Sequence, residues 1–122
     1  MMLPHSQVKI FASTDVVDMR FGFDRLAQTV KAAMGHDPFS GSLYLFFNRS
    51  RDRARTIYFD GSGSCSFSKR LEKGTFKAPT ATGGEASLQI AASDLALLLE
   101  GVNVSRIVRP RPWQPTPPEH RP

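Results

Sequence analysis

The sequence predicts a small α+β domain built on an antiparallel β-meander, and three observations carry this prediction. Apolar residues recur at a helical period between residues 21 and 34, short apolar or β-branched runs follow, and glycine-containing turns separate those runs. The chain has 122 residues, of which 40% are hydrophobic, and this is enough for one modest core. We therefore expect a single domain over residues 1–108 and a disordered Pro-rich tail over residues 109–122.

The N-terminal third of the chain predicts one strand and the strongest helix. Residues 8–12 alternate in a way that suits a short strand. From Phe23 onward, apolar residues fall on one stripe of an amphipathic helix that packs on the sheet. They are Phe23, Leu26, Ala27, Val30, Ala33 and Met34. Gly35 is expected to end this helix.

Four short strands are predicted after the helix. Residues 43–47 are apolar throughout, residues 56–59 are β-branched and aromatic, residues 64–69 alternate, and residues 75–77 form a shorter candidate. Residues 48–55 are the expected hairpin connection, and Asp60-Gly61-Ser62-Gly63 is a turn signal. Consecutive strands joined by short turns predict the meander.

A brief extended segment and a short helix are expected before the tail. Ser93 is the predicted N-cap, Asp94 suits the first turn, and Gly101 suits the C′ position. The apolar face of this helix consists of Leu95, Leu98 and Leu99. Residues 104–108 predict a closing strand.

Positive charge is concentrated in residues 48–79. This segment holds eight Lys or Arg and three acids, a net of +5 that equals the formal charge of the whole chain. The eight basic residues are Arg49, Arg51, Arg53, Arg55, Lys69, Arg70, Lys73 and Lys77. Charge gathered on one sheet-forming segment favours a polyanionic partner, in this case nucleic acid.

The first four arginines of this segment, Arg49, Arg51, Arg53 and Arg55, occur at every second position. In an extended ribbon they would project from one face about 6.7 Å apart and follow a phosphate backbone. The lysines and arginine after residue 68 would widen the patch if both hairpin ends lay on the same side. The alternative is a solvated hairpin tip whose charges protect a sheet edge. The sequence leaves both interpretations open.

The aromatic residues beside this patch also have two interpretations. Tyr58, Phe59, Phe67 and Phe76 would stack on bases if they were exposed. In a short antiparallel sheet such residues more often build the core.

Residues suited to catalysis or metal binding are sparse. Cys65 is the only cysteine, which excludes an internal disulfide and favours a reducing compartment. His5, His36 and His120 lack the spacing of zinc ligands. The aspartates in turns need no catalytic explanation, and no apolar run is long enough to cross a bilayer. We therefore expect no enzymatic activity, no cofactor, no metal and no membrane partner, and a cytoplasmic location.

The Pro-rich tail carries Trp113 after Arg109 and Arg111. This combination suits a docking peptide for a groove on another protein. It equally suits a solubilising end with one exposed aromatic residue.

Several motifs resemble one family in order and spacing. Asp18-Met19-Arg20 followed by Gly22-Phe23 and Leu26 is similar to a signature of TnpB accessory proteins from insertion sequence family sixty-six. The similar motifs further along are Asp37-Pro38, Gly41, Leu43, Phe46, the Arg-rich residues 48–55, Asp60-Gly61-Ser62-Gly63, Lys69-Arg70-Leu71-Glu72, Gly74-Thr75-Phe76, and Leu95, Leu98, Leu99 and Gly101. The resemblance spans residues 5–108. Where that family commonly has an aromatic residue, this chain has Phe59, Cys65 and Lys77, so only Phe59 keeps the pattern.

The resemblance implies a small protein encoded beside a large transposase, which it assists in moving the element. In that family the transposase carries the catalytic acidic residues, and the RNA-guided nucleases that share the name TnpB are a different group. The charge adds the expectation that the chain contacts phosphates of element DNA through its eight basic residues. The alternative is an adaptor that binds the transposase and other proteins of the element without touching DNA. A metal-dependent nuclease is a distant third hypothesis.

Overall fold

The computed structural model describes residues 8–78 and 80–101. Five strands and two helices follow one another along the chain. They are β1 (Ile10–Val16), α1 (Phe23–Thr29), which continues as a wider π-helical segment (Val30–Met34), β2 (Leu43–Phe47), β3 (Arg53–Phe59), β4 (Ser64–Arg70), β5 (Ser87–Ile90) and α2 (Ala92–Leu99).

The strands form one sheet in the order β4-β3-β2-β1-β5. Strands β2, β3 and β4 pair antiparallel as the predicted meander, and β5 pairs antiparallel with β1. Strand β1 pairs parallel with β2, with Ile10 opposite Leu43. The α+β class is confirmed, and the sheet departs from a purely antiparallel one at this pair. The reason is that α1 crosses back between β1 and β2, so both strands start at the same end of the sheet.

Strand β2 is buried on both faces because a helix packs on each side of the sheet. On the α1 face, Tyr44 and Phe46 pack with Leu26 and Val30. On the α2 face, Leu43, Leu45 and Phe47 pack with Leu95 and Leu98. The apolar run of β2 therefore supplies both cores. Burial of each such side chain stabilises the fold by about 1.5–3 kcal/mol before conformational entropy is counted.

Several predicted boundaries are confirmed. Strand β2 and the turn at residues 60–63 lie where they were expected. Gly35 follows the helix in a left-handed conformation with φ of 72°, and Gly101 does the same after α2 with φ of 87°. The helix and the meander thus follow from local sequence signals.

Other predictions are wrong. Strand β3 begins at Arg53, so the connection covers only residues 48–52. Residues 75–77 form no strand, because Phe76 is a buried anchor whose N–H donates to the Arg51 carbonyl at 2.6 Å. Ser93 is not the N-cap: the N-cap is Ala91, two residues earlier, and the Leu95 N–H donates to the Ala91 carbonyl at 3.0 Å.

The predicted strand at residues 104–108 and the tail at residues 109–122 lie outside the described residues. Across residues 8–78 and 80–101, neither helix has the length and apolar character that a membrane span requires.

Candidate nucleic-acid interface

The parallel pairing of β1 and β2 brings distant parts of the chain to one end of the sheet. Both strands finish there, and the Val17 N–H donates to the Phe47 carbonyl at 2.9 Å. Strand β3 starts at the same end and β4 finishes there, with Arg53 opposite Arg70. The loop after β4 is attached here too, since the Leu71 N–H donates to the Asp52 carbonyl at 2.8 Å. We call this region the basic end, and it holds the eight basic residues of 48–79.

The turn at residues 48–52 is organised by Asn48. Its Nδ2 atom donates to Asp52 Oδ1 at 2.7 Å, and its Oδ1 atom accepts the Arg53 N–H at 3.0 Å. The Asn48 hydrogen bond, together with the charges of Arg53 and Arg70, holds the pKa of Asp52 below its ordinary value. Arg51 adopts a left-handed conformation with φ of 59°. The predicted extended ribbon of four arginines is therefore wrong, because Arg49 and Arg51 lie in this turn and not in a strand.

Three of the arginines share the α1 face of the sheet. Arg53 and Arg70 are directly opposed and exposed, and Arg55 lies opposite Ser68. The Arg55 guanidinium is already engaged: its Nε donates to Ser66 Oγ at 3.0 Å, and another of its nitrogens donates to the Phe21 carbonyl. Arg55 thus ties the loop before α1 to the sheet, whereas Arg53 and Arg70 present their guanidinium groups to solvent.

The other basic residues take different positions at the same end. Lys69 lies on the α2 face, with its Nζ atom 3.7 Å from a carboxylate oxygen of Glu100. The guanidinium of Arg51 lies 6.0 Å from the ring centre of Phe47 on that face. Lys77 Nζ donates to Thr75 Oγ1 at 2.9 Å, and Arg49 and Lys73 are exposed. The eight basic residues therefore lie on both faces and in the loops at this end of the sheet, and they do not form a single row.

The aromatic candidates separate by burial. Phe76 is buried against Phe47, with ring centres 5.7 Å apart, and Tyr58 packs against the same core. Phe59 contacts Phe39 edge-on at 5.3 Å. Phe67 is 36% exposed. The core interpretation is correct for Phe76 and Tyr58.

The loop before α1 contains the motif residues Asp18, Met19, Arg20 and Gly22, and Phe23 begins the helix. Asp18 and Arg20 pair at 2.7 Å. Hydrogen bonds from the Arg20 side chain and then its N–H lower the pKa of Asp18 to about 2. Met19 packs toward the core of the α1 face and also lines a cleft with Arg53, Ser68 and Arg70. No pattern in the sequence pointed to this cleft.

The turn at residues 60–63 lies at the opposite end of β3 and β4. Asp60 Oδ1 accepts the N–H groups of Ser62 and Gly63, each at 2.9 Å, and these bonds hold its pKa below the ordinary value. Gly61 adopts φ of 100°. The motif residues Asp60, Gly61 and Gly63 are accounted for by this turn.

An aromatic cluster on the surface was missed by sequence reasoning. Phe39 is 56% exposed and lies 6.4 Å from Phe23 and 5.3 Å from Phe59, measured between ring centres. Phe39 belongs to a loop and Phe23 to a helix, so no periodic pattern linked them. In the described part of the chain, no three His, Cys, Asp or Glu side chains gather in a way that would hold a metal ion.

Comparison with known proteins indicates the same family as the motifs. The family model described as IS66 Orf2 like protein matches residues 8–109. The chain is 38% identical over 116 residues to the uncharacterized protein y4hO of Sinorhizobium fredii, covering 94% of this chain and 97% of that protein. It is 34% identical over 116 residues to the uncharacterized protein y4jC of the same organism, covering 95% and 97%. No solved structure gives a significant match.

Proposed function

We propose, on the premise that this chain belongs to the IS66 Orf2 like protein family of insertion sequences, that it is a non-catalytic transposition accessory that binds element DNA. The basic end is the proposed contact surface. The observation that carries this proposal is the gathering of all eight basic residues of 48–79 at one end of the sheet, while the rest of the chain has no net charge. Such a local field attracts a nucleic-acid backbone.

The contacts are proposed to be with phosphates instead of bases. Arginine and lysine side chains at turn and strand ends bind phosphate oxygens and carry little sequence information. Stacking on bases needs exposed aromatic rings, whereas Phe76 and Tyr58 pack in the core. We therefore assign selection of the element's ends to the transposase of the same element. Both proteins are proposed to act in the cytoplasm, where the DNA lies.

Strand cleavage is also assigned to the transposase. Three aspartates near the proposed surface or in motif positions are engaged by their own loops. Asp18 pairs with Arg20, Asp52 accepts a hydrogen bond from Asn48, and Asp60 accepts two from its turn. These local contacts give each carboxylate a structural role.

The test is a fluorescence-anisotropy titration of the full chain against a labelled duplex of about 30 base pairs, at low and moderate salt. If about four phosphates are neutralised, affinity falls about 100-fold between about 50 and 200 mM salt. The variant Arg49→Gln/Lys73→Gln should weaken binding about 10-fold or more at low salt. A salt-independent affinity, or no binding at low salt, would contradict the proposal.

A matched control uses two exposed lysines at the other end of the sheet. Lys9 precedes β1 and Lys31 lies in the helical segment that leads toward β2. The variant Lys9→Gln/Lys31→Gln removes the same charge, so it should bind DNA like the original chain. Equal weakening by both variants would show that only net charge matters, which contradicts a localised surface.

The alternative function is an adaptor that binds the transposase, and one observation favours it. The exposed Phe39 with Phe23 and Phe59 forms an apolar aromatic surface of the kind that protein partners cover. Copurification of the transposase of the same element should be lost with Phe39→Ser. The control is Phe67→Ser, at the other exposed large aromatic of the described residues. Retention by both variants would reject the aromatic surface as the adaptor site.

A further inference from the structure

Arg53 and Arg70 occupy an energetically unfavourable arrangement. They are a directly opposed cross-strand pair on the α1 face, with Arg53 in β3 and Arg70 in the edge strand β4. Directly opposed side chains start from Cβ atoms only about 4.5–5.5 Å apart, and like charges at such positions destabilise a sheet. A counter-charge or a bound anion would relieve this repulsion.

The described residues supply no ion pair to either guanidinium. Within those residues, the ion pairs closer than 4.0 Å join Arg20 to Asp18 and Lys69 to Glu100. Asp52 is near enough to feel the charges of both arginines, but its Oδ1 accepts a hydrogen bond from Asn48. Both guanidinium groups therefore keep their donors available to a ligand.

The two arginines border a cleft with mixed chemistry. Its volume is about 270 Å³, and its lining includes Met19, Arg53, Ser68 and Arg70. Pockets for small molecules usually run from about 300 to 1,000 Å³, so this cleft suits one sugar-phosphate unit. Two guanidinium groups and a hydroxyl supply donors, and the Met19 side chain supplies an apolar wall.

Met19 reaches this cleft because its loop is held from both sides. Before it, the Val17 N–H is bonded to the Phe47 carbonyl at 2.9 Å. After it, the Phe21 carbonyl accepts a hydrogen bond from Arg55. The loop that carries Asp18-Met19-Arg20 is thereby fixed beside the arginine pair, and Arg55 acts as a positioning residue.

We propose that Arg53 and Arg70 clamp a single backbone phosphodiester of nucleic acid, with Ser68 as a further donor and Met19 against the adjoining sugar. This site rests on the proposed DNA contact and deepens it. Each guanidinium donates paired hydrogen bonds to the phosphate oxygens, and the anion removes the repulsion between the two cations. The alternative interpretation is a solvated arginine pair that only protects the edge strand from pairing with other chains.

The test uses charge-conserving substitutions, because they keep the field and remove the guanidinium fork. In the duplex titration, Arg53→Lys and Arg70→Lys should each weaken binding about 5-fold. Arg25→Lys, at an exposed position of α1 outside the basic end, should leave affinity unchanged. Ser68→Ala should weaken binding about 3-fold, and Ser64→Ala, at the far end of the same strand face, should have no effect.

A second readout locates the phosphate directly. The arginine Nε–H resonances of the full chain are followed by NMR during addition of dimethyl phosphate and then of the duplex. Arg53 and Arg70 should shift with both ligands, and Arg70→Lys should abolish the Arg53 shift with dimethyl phosphate. Unchanged circular dichroism and thermal midpoint establish that the exposed substitutions leave the fold intact.

The outcomes separate this site from the proposed function. Undiminished binding by Arg53→Lys and Arg70→Lys, together with weakened binding by Arg49→Gln/Lys73→Gln, would overturn the clamp and leave the DNA-binding surface standing. Absence of duplex binding by the original chain at low salt would overturn both. Equal effects of Arg53→Lys and Arg25→Lys would also overturn the clamp.

Discussion

The guanidinium of Arg55, in the middle strand of the meander, donates a hydrogen bond to the backbone carbonyl of Phe21, 34 residues earlier in the chain. The same side chain donates from Nε to Ser66 Oγ at 3.0 Å. It therefore links the loop before α1 to two neighbouring strands. A residue that looked like one of four equivalent phosphate contacts has a structural role.

Replacement of Arg55 by alanine should lower the free energy of unfolding. The change removes charge-assisted hydrogen bonds from a half-buried side chain and leaves the Phe21 carbonyl without this donor, so we expect a loss of about 1–2 kcal/mol. Urea unfolding measures it. Arg49→Ala, at an exposed turn position, should stay within about 0.5 kcal/mol. Equal stability of the two variants would contradict the linking role.

Replacement of Gly35 by alanine should destabilise the protein by about 1 kcal/mol, because an L side chain resists the left-handed conformation. Gly35 has φ of 72°, and an added Cβ would contact no atom within 4 Å, so the cost is conformational alone. Thermal unfolding followed by circular dichroism measures it. Gly63→Ala is the control, since Gly63 has no positive φ and equally open space. A neutral Gly35→Ala would argue against this helix end.

The Asp18 carboxyl should titrate with a pKa of about 2, because hydrogen bonds from Arg20 favour its charged form. With a folded pKa below the unfolded one, the interaction stabilises the fold above about pH 4, and this contribution disappears as pH falls through about 2. NMR titration of the carboxyl carbon measures the midpoint. In Arg20→Ala the midpoint should rise toward about 3.9.

The control for this titration is Arg25→Ala. Arg25 acts on Asp18 only through charge and is the last of the causes that lower its pKa. The Asp18 midpoint should therefore move much less in Arg25→Ala than in Arg20→Ala. A midpoint near 4 in the original chain would contradict the Asp18–Arg20 pair.

Replacement of Phe76 by alanine should cost about 3–5 kcal/mol, since it empties a fully buried aromatic site. Phe76 is 1% exposed and packs against Phe47. Such a loss is a large part of a typical stability of about 5–15 kcal/mol. Urea unfolding measures it, with Phe67→Ala, at a 36% exposed ring, as the milder control. A loss below that of Phe67→Ala would contradict the anchoring of this loop.

Local signals in the sequence predicted most elements but not every boundary. The turn at residues 60–63 and the left-handed Gly35 depend on backbone preferences of a few adjacent residues, so they could be read directly. The start of β3 at Arg53 could not, because the Arg run has no apolar alternation; cross-strand pairing with β4 extends the strand there. Phe76 was predicted to lie in a strand because an aromatic residue is equally typical of a strand and of a buried anchor in a loop.

The candidate site shows the same division. The basic character of residues 48–79 was evident from the sequence, and so was the family signature at residues 18–23. Their proximity was not evident. It follows from the parallel pairing of β1 with β2, which returns the loop after β1 to the end of the sheet where β2 enters the arginine-rich turn. The opposed pair Arg53 and Arg70 depends likewise on the register of β3 with β4.

The sequence by itself determined the family, the α+β class, the principal helix, the meander and the concentration of positive charge, because each depends on residue type and local spacing. Only the tertiary structure decided which basic side chains are free and which are engaged. Strand register and the crossover through α1 made Arg55 a link to Phe21 and Lys69 a partner of Glu100. They left Arg53 and Arg70 opposed and exposed beside Met19, since such contacts join residues far apart in the chain.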